Sequence, residues 1–173
     1  KKTRYNIKTI CVGNIYIGGT GKTPLSILIN RILKKKYKTV FVKKKYQNQI
    51  EEQKLLIKHG NLICEQSRSL CLIKAERKGF GLAIIDDGLQ EKSIKYDISI
   101  ACFNSTSKIG NGLLIPAGPL RENLSNLNRY DAVFINGQKK NNKLINKIKN
   151  YNNKIEVFQS DYKINNLNKF NRS

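Results

Sequence analysis

The strongest chemical signature in the chain is Gly18-Gly19-Thr20-Gly21-Lys22-Thr23, where glycines, a lysine and a hydroxyl follow one another closely. Glycines at this spacing permit positive φ and keep Cβ atoms away, so successive backbone N–H groups converge on phosphate oxygens at the start of a helix. Lys22 then reaches the outer phosphates of a nucleotide, and Thr23 offers its hydroxyl to Mg2+. The expected cradle runs through Tyr16, Ile17, Gly18, Gly19, Thr20, Gly21, Lys22 and Thr23, and the expected ligands are ATP and Mg2+. Tyr16 departs from the usual P-loop pattern, which begins with a glycine at that place.

Two further groups have matching chemistry. Asp86 and Asp87 follow the apolar run Leu82-Ala83-Ile84-Ile85, which places both carboxylates at the carboxyl end of a buried strand. Ligands bind at that edge of an open α/β sheet, and an acid there completes a metal shell beside a phosphate-binding loop. Asp-Asp-Gly is also ordinary turn chemistry, and it is the loop upstream that favours metal work for Asp86 and Asp87. Arg121, in Gly118-Pro119-Leu120-Arg121-Glu122, carries a guanidinium suited to clamping phosphate oxygens. On that segment alone a surface ion pair with Glu122 or a neighbour is the preferred reading.

These groups work only if the elements around them bring them together. Thr9-Ile10-Cys11-Val12 reads as a buried strand, and Leu25, Leu28, Ile29, Ile32 and Leu33 recur at helical spacing after the glycine loop. Thr39-Val40-Phe41-Val42 supplies the next strand. Further strands are expected at 62–64, 82–85, 98–103, 132–135 and 155–158, with helices over 51–58 and 67–77. Strands alternating with helices imply an α/β fold: a doubly wound, mostly parallel sheet with helices on both faces, as in P-loop NTPases. Residues 1–160 are expected to form the nucleotide-binding domain. The polar, Asn-rich residues 161–173 read as a tail or the start of a linker. Residues 104–120 form a long Gly- and Pro-containing connection, of the kind often given over to function.

The chain has 173 residues and a formal charge of +21, from 33 Lys and Arg against 12 Asp and Glu. Such an excess suits nucleic acid, an anionic membrane surface or phosphorylated ligands. Lys, Asn and Ile share A/T-rich codons, so a biased genome also produces it. No aromatic platform or helix-turn-helix spacing supports nucleic-acid binding, and no nucleic acid is expected. The four cysteines are scattered, with no Cys-x-x-Cys pair and a single histidine, His59, so thiolate metal ligation is not expected. Cys11 and Cys102 lie in apolar strands, as free cysteines do in a reducing compartment. No apolar run reaches the length of a membrane span.

Three segments in order resemble tetraacyldisaccharide 4'-kinases, the lipid A 4'-kinase family. They are Val12-Gly13-Asn14 with Gly18 to Pro24, Asp86-Asp87-Gly88-Leu89-Gln90, and Leu114-Ile115-Pro116-Ala117-Gly118-Pro119-Leu120-Arg121-Glu122; Asn136-Gly137 is similar as well. The resemblance spans about residues 9–137. It implies ATP-dependent phosphorylation of the 4'-hydroxyl of a lipid A disaccharide precursor, at the cytoplasmic face of the inner membrane of a Gram-negative bacterium. It implies Lys22 on the phosphates, Thr23 with Asp86 or Asp87 on Mg2+, and Arg121 near the transferring group. The family's Asp-Glu pair, whose Asp resembles a catalytic base, is matched here by Glu51-Glu52, which makes Glu51 the candidate base. A solvated helix start explains Glu51 and Glu52 equally well. Glu91 stands where the family has His. The resemblance also implies that a hydrophobic amino-terminal helix and a His-bearing later portion lie outside this chain, and that this piece alone transfers phosphate poorly.

Two rivals share parts of the pattern. A GTPase or a partitioning-type ATPase also carries a glycine-rich loop after its first strand, but Asn136-Gly137-Gln138 is not a guanine-reading Asn-Lys-x-Asp, and Ile17 stands where the partitioning ATPases carry a signature lysine. A basic nucleic-acid-binding protein rests on composition alone.

Overall fold

A computed structural model describes residues 2–46, 49–137 and 141–160, so the tail expected over 161–173 lies outside the described residues. The chain alternates strand and helix: β1 (Lys8–Asn14), α1 (Lys22–Leu33), β2 (Thr39–Lys44), α2 (Ile50–His59), β3 (Leu62–Glu65), α3 (Arg68–Arg77), β4 (Leu82–Asp86), β5 (Ile98–Asn104), β6 (Ala132–Asn136), α4 (Asn142–Tyr151) and β7 (Glu156–Ser160). A 3-10 helix, Leu124–Arg129, precedes β6. The strands form one seven-stranded sheet in the order β3-β2-β4-β1-β5-β6-β7. Every pairing between these strands is parallel, rather than most of them.

Alternation along the central strands explains the two covered faces. In β1, Cys11 joins a core with Val40, Val42, Ala83 and Ile85 under Cys71, Leu72 and Ala75 of α3. Its neighbours Ile10 and Val12 turn the other way, toward Leu25 and Ile29 of α1. Successive side chains on a strand point to opposite faces, so a strand covered twice must be apolar throughout. In β4, all five residues Leu82 to Asp86 are buried. That leaves Asp86 as a carboxylate in a row of hydrocarbon, a costly placement unless it is paired.

The strand order also creates the crevice. From β1 the chain crosses α1 to β2, beyond β4 on one side, whereas β5 leads to β6 on the other. Connections that diverge from neighbouring strands leave an opening at their carboxyl ends. Val12 of β1 lies in register with Asp86 of β4, so the glycine loop and the acidic pair emerge side by side.

At the opposite edge, Asp97 fastens β1 to β5. Its carboxylate accepts hydrogen bonds from Thr9 N at 2.9 Å, Thr9 Oγ1 at 3.0 Å and Arg4 Nη2 at 3.0 Å. Burial works against the charged form, but the Thr9 and Arg4 bonds outweigh it and hold the Asp97 carboxyl below its ordinary value. A depressed carboxylate contributes stability above its unfolded pKa and loses it as pH falls through the folded one. Asp97→Asn is therefore expected to cost about 1–2 kcal/mol at neutral pH. Urea unfolding of both proteins at several pH values should show this gap closing as the buffer is made more acidic than about pH 4.

Candidate active site

The glycine loop turns where its φ values require glycine. Gly18 has φ 114° and Gly21 has φ 81°, both in the region that side chains disfavour. A Cβ on Gly21 would collide with the side-chain amide of Asn136, so the loop is pressed against the end of β6. Gly21 caps α1, whose first turn holds Lys22, Thr23 and Pro24 and carries no acidic residue. First-turn N–H groups have no intrahelical acceptor, so Pro24 sacrifices nothing there and the neighbouring amides remain available to an anion. Thr20 contributes a second sign of a missing partner: its Oγ1 is buried without a hydrogen bond.

Tyr16, standing where the usual pattern has glycine, bridges to Leu120, and Ile17 N donates to Pro119 O at 2.8 Å. The upstream limb of the cradle is thus braced by the connection of residues 104–120, while Ile17 itself is 51% exposed.

The two aspartates divide. Asp86, with no exposed surface, accepts from Lys43 Nζ at 2.8 Å and faces Thr23 Oγ1 at 3.4 Å and Ser26 Oγ at 3.3 Å. Asp87 turns back in the left-handed region at φ 58°, tolerable for an aspartate, and Gly88 follows where a Cβ would meet Ile85 at 2.5 Å. This turn ends β4 and swings Asp87 toward Arg121, whose Nη1 donates to Asp87 Oδ1 at 2.8 Å and to Asn14 Oδ1 at 2.7 Å. Arg68, buried in the first turn of α3, donates to the Asp87 carbonyl. Thr23 and Asp86 lie close enough to serve one ion; Asp87 is committed to Arg121.

Of the ion pairs the sequence allowed for Arg121, the one with Glu122 is not made and the one formed is with Asp87. Glu122 instead accepts from Gln90 Nε2, Asn126 Nδ2 and Tyr130 Oη, each at 2.7 Å. Gln90 Nε2 also donates to Asn14 O at 2.9 Å, so the loop carrying Arg121 is fixed to the end of β1. Burial and then Glu122 raise the Tyr130 phenol above its ordinary pKa, which keeps it a donor.

Glu51 does not reach this cluster. On a helix, neighbours point about 100° apart, so only one of the pair faces the loop. Glu51 is 85% exposed in its side chain and bonds Lys54 Nζ at 2.8 Å, whereas Glu52 turns inward, 2.6 Å from Lys43 Nζ and 3.8 Å from Lys22 Nζ. Of the pair, Glu52 is the one the structure brings to the loop, and Glu51 is not. Lys43 is the residue that sequence reasoning missed, at the end of β2 and with only 1% of its side chain exposed. Burial opposes its charge, but Asp86 and Glu52 overcome that and hold its pKa above the ordinary lysine value. A lysine closing a buried strand was the available signal, obscured by Lys44 and Lys45 beside it.

The cysteines take no part. Burial raises the Cys71 thiol to about 11 and the Cys102 thiol to about 12, so both are neutral packing groups. Among the described residues, no group of three or more His, Cys, Asp or Glu could hold a metal. A magnesium site in a nucleotide enzyme needs few protein ligands, because phosphates and water supply the rest. Hydroxyl and carboxylate oxygens at Thr23 and Asp86 fit that demand.

Comparison with known proteins extends the likeness to the whole chain. The family described as tetraacyldisaccharide-1-P 4'-kinase (LpxK) matches residues 1–173. The tetraacyldisaccharide 4'-kinase of Pelagibacter ubique is 49% identical over 99% of this chain, and that of Wigglesworthia glossinidia brevipalpis 35% identical over 97%. These alignments cover 55% and 50% of the two relatives, so the chain spans about half the length of the curated relatives it matches. Among solved structures, LpxK from Aquifex aeolicus in complex with ATP superposes with a TM-score of 0.69 at 19% identity, covering 94% of this chain and 73% of that one. HypB from Helicobacter pylori follows the same fold, with a TM-score of 0.60 at 12% identity over 90% of this chain and 79% of its own. With the family match running the full length and close relatives sharing a third to a half of its residues, the chain belongs to the tetraacyldisaccharide-1-P 4'-kinase family.

Proposed function

We propose that this chain is the nucleotide-binding part of a kinase that transfers the γ-phosphoryl group of ATP to the 4'-hydroxyl of a tetraacyldisaccharide 1-phosphate, a lipid A precursor, at the cytoplasmic face of the inner membrane. The observation that carries the reading is the meeting of the Gly18–Thr23 loop with Asp86 at one sheet edge, Thr23 Oγ1 lying 3.4 Å from Asp86 Oδ2. ATP is the favoured nucleotide because the LpxK of Aquifex aeolicus, which shares the fold, was solved in complex with it.

Each group then has a role. The loop amides and Lys22 hold the phosphates, and the buried Thr20 hydroxyl in the same loop has no hydrogen-bond partner of its own. Thr23 and Asp86 would hold Mg2+, which supplies charge neutralisation on the transferred group. Arg121, oriented by Asp87 and Asn14 through Nη1, has further guanidinium donors suited to phosphate oxygens. Glu52, partly exposed beside Lys22, is positioned to accept the proton of the sugar hydroxyl.

A lipid acceptor suits the surface next to the cradle. Leu113, Leu114 and Ile115 are 53%, 46% and 50% exposed, on the same connection whose Pro119 bonds Ile17. Apolar side chains left in water together commonly mark a lipid or partner site. The Lys-rich surface adds attraction for an anionic bilayer.

The test is a competition titration with Mg2+ present, followed by radiolabel transfer to the disaccharide lipid. ATP should bind at millimolar concentration or better and displace GTP. Preference for GTP, or no nucleotide binding by a folded chain, would sink the proposal. This half of the relatives' length, taken alone, is expected to phosphorylate the lipid slowly, and brisk turnover would show that nothing beyond it is needed.

A further inference from the structure

Lys43 is unusual in its placement. An ammonium with 1% of its side chain exposed sits between two carboxylates, 2.8 Å from Asp86 Oδ2 and 2.6 Å from Glu52 Oε2. The Asp86 oxygen it occupies is the one facing Thr23 Oγ1. Glu52 reaches on to Lys22 at 3.8 Å, so the groups form one row: Lys22, Glu52, Lys43, Asp86, Thr23. Two positive and two negative charges cancel along it. Ser26, which also faces Asp86, adds no charge. A divalent ion approaching Asp86 alone therefore meets a site already neutralised, with a fixed cation within a few ångströms.

We propose that Lys43 is a positioning residue that acts as a built-in counter-cation: it holds Asp86 and Glu52 in place and makes divalent metal binding depend on the nucleotide. Metal alone is repelled by the ammonium. Metal arriving with a triphosphate brings its own negative charge and outweighs that repulsion. The inference rests on the Mg–ATP reading of this site and concerns the order in which its ligands assemble.

The test uses Mn2+ as probe, following bound and free ion by electron paramagnetic resonance, with and without ATP. Wild-type protein is expected to bind Mn2+ weakly by itself and well with ATP. Lys43→Met should raise the affinity for Mn2+ alone on the order of 10- to 100-fold, because one positive charge a few ångströms from the ion is gone. Lys43→Arg keeps the charge and should behave as wild type, which a purely structural role for the lysine stem would not require. If Lys43→Met fails to fold, Glu52→Gln reports from the exposed end of the row. It leaves one uncancelled positive charge, so Mn2+ alone should bind several-fold more weakly and metal-free ATP several-fold more tightly.

A folded Lys43→Met protein with unchanged Mn2+ affinity overturns the proposal. So does a Glu52→Gln protein in which both affinities stay within about twofold of wild type. Wild-type protein that binds Mn2+ alone as tightly as with ATP overturns it too, while leaving the kinase reading intact. Failure of wild-type protein to bind ATP in any condition removes the nucleotide reading and this inference with it.

Discussion

Lys22→Ala is expected to lower phosphoryl transfer by about 10²–10³-fold, the range found when one preorganised donor to a developing charge is removed. Lys22 is the first residue of α1, and its side chain, 17% exposed, points along the cradle to Glu52 at 3.8 Å. That contact is too long and too open to the solvent to stabilise the fold by more than about 1 kcal/mol. Loss of function should therefore come without loss of structure. Negative charge builds on the β–γ bridging oxygen as its bond to the transferred group breaks, so kcat should fall further than KM rises. Lys22→Arg should rescue little, since a planar fork cannot replace a compact point charge within a loop braced against Asn136. Steady-state kinetics on the whole enzyme and nucleotide titration of this chain check the two halves of the claim. A Lys22→Ala protein that gives an unchanged calorimetric titration would reject the loop assignment.

What the sequence made legible was what is decided locally. The short apolar run of β1 and the unbroken one of β4 specify strands covered on both faces, and the glycines between β1 and α1 specify the turn. Asp86 and Asp87 could be placed at the sheet edge because they end an apolar run, and parallel register with β1 then fixes their distance from the loop. Their division of labour was not legible. Whether an aspartate points inward with the strand or backward in a left-handed turn is settled by φ at Asp87 and by the close approach of Gly88 to Ile85. Neither appears in the residue string.

Which of Glu51 and Glu52 faces the loop was not legible for a similar reason. Both satisfy the same pattern, but the rotation of α2 about its axis is set by Leu56 packing on Phe41 and Ile84, contacts that join distant parts of the chain. Lys43 escaped notice because its chemistry depends on strand pairing: only when β2 lies beside β4 does a lysine in a basic run become the partner of a buried acid. Arg121 was visible as a residue type, yet its partners Asp87 and Asn14 belong to other elements, and no spacing rule connects them.

Asp86→Ala is expected to be damaging in a different way, because it removes one member of a buried pair. The carboxylate has no exposed surface and Lys43 almost none. Taking away one partner leaves a charge in a low-dielectric interior, which typically costs about 3–5 kcal/mol. Glu52 remains 2.6 Å from Lys43 and is partly exposed, so it offsets some of this and favours the lower end of that range. For a domain of this size such a loss lowers Tm by roughly 6–12 °C, at about 2–4 °C for each kcal/mol. The second substitution separates stability from chemistry. In Asp86→Ala combined with Lys43→Met, neither buried charge is left unpaired, and replacement of a whole buried pair by apolar groups is often neutral. Urea unfolding should therefore show the double variant more stable than Asp86→Ala alone, a coupling of at least about 1 kcal/mol for residues in direct contact. Metal-dependent transfer should remain lost in both, since Thr23 Oγ1 no longer has the carboxylate oxygen that faces it at 3.4 Å. Recovery of stability together with activity would mean that Asp86 serves the fold alone, and simple additivity of the two substitutions would mean that the 2.8 Å contact contributes little to either.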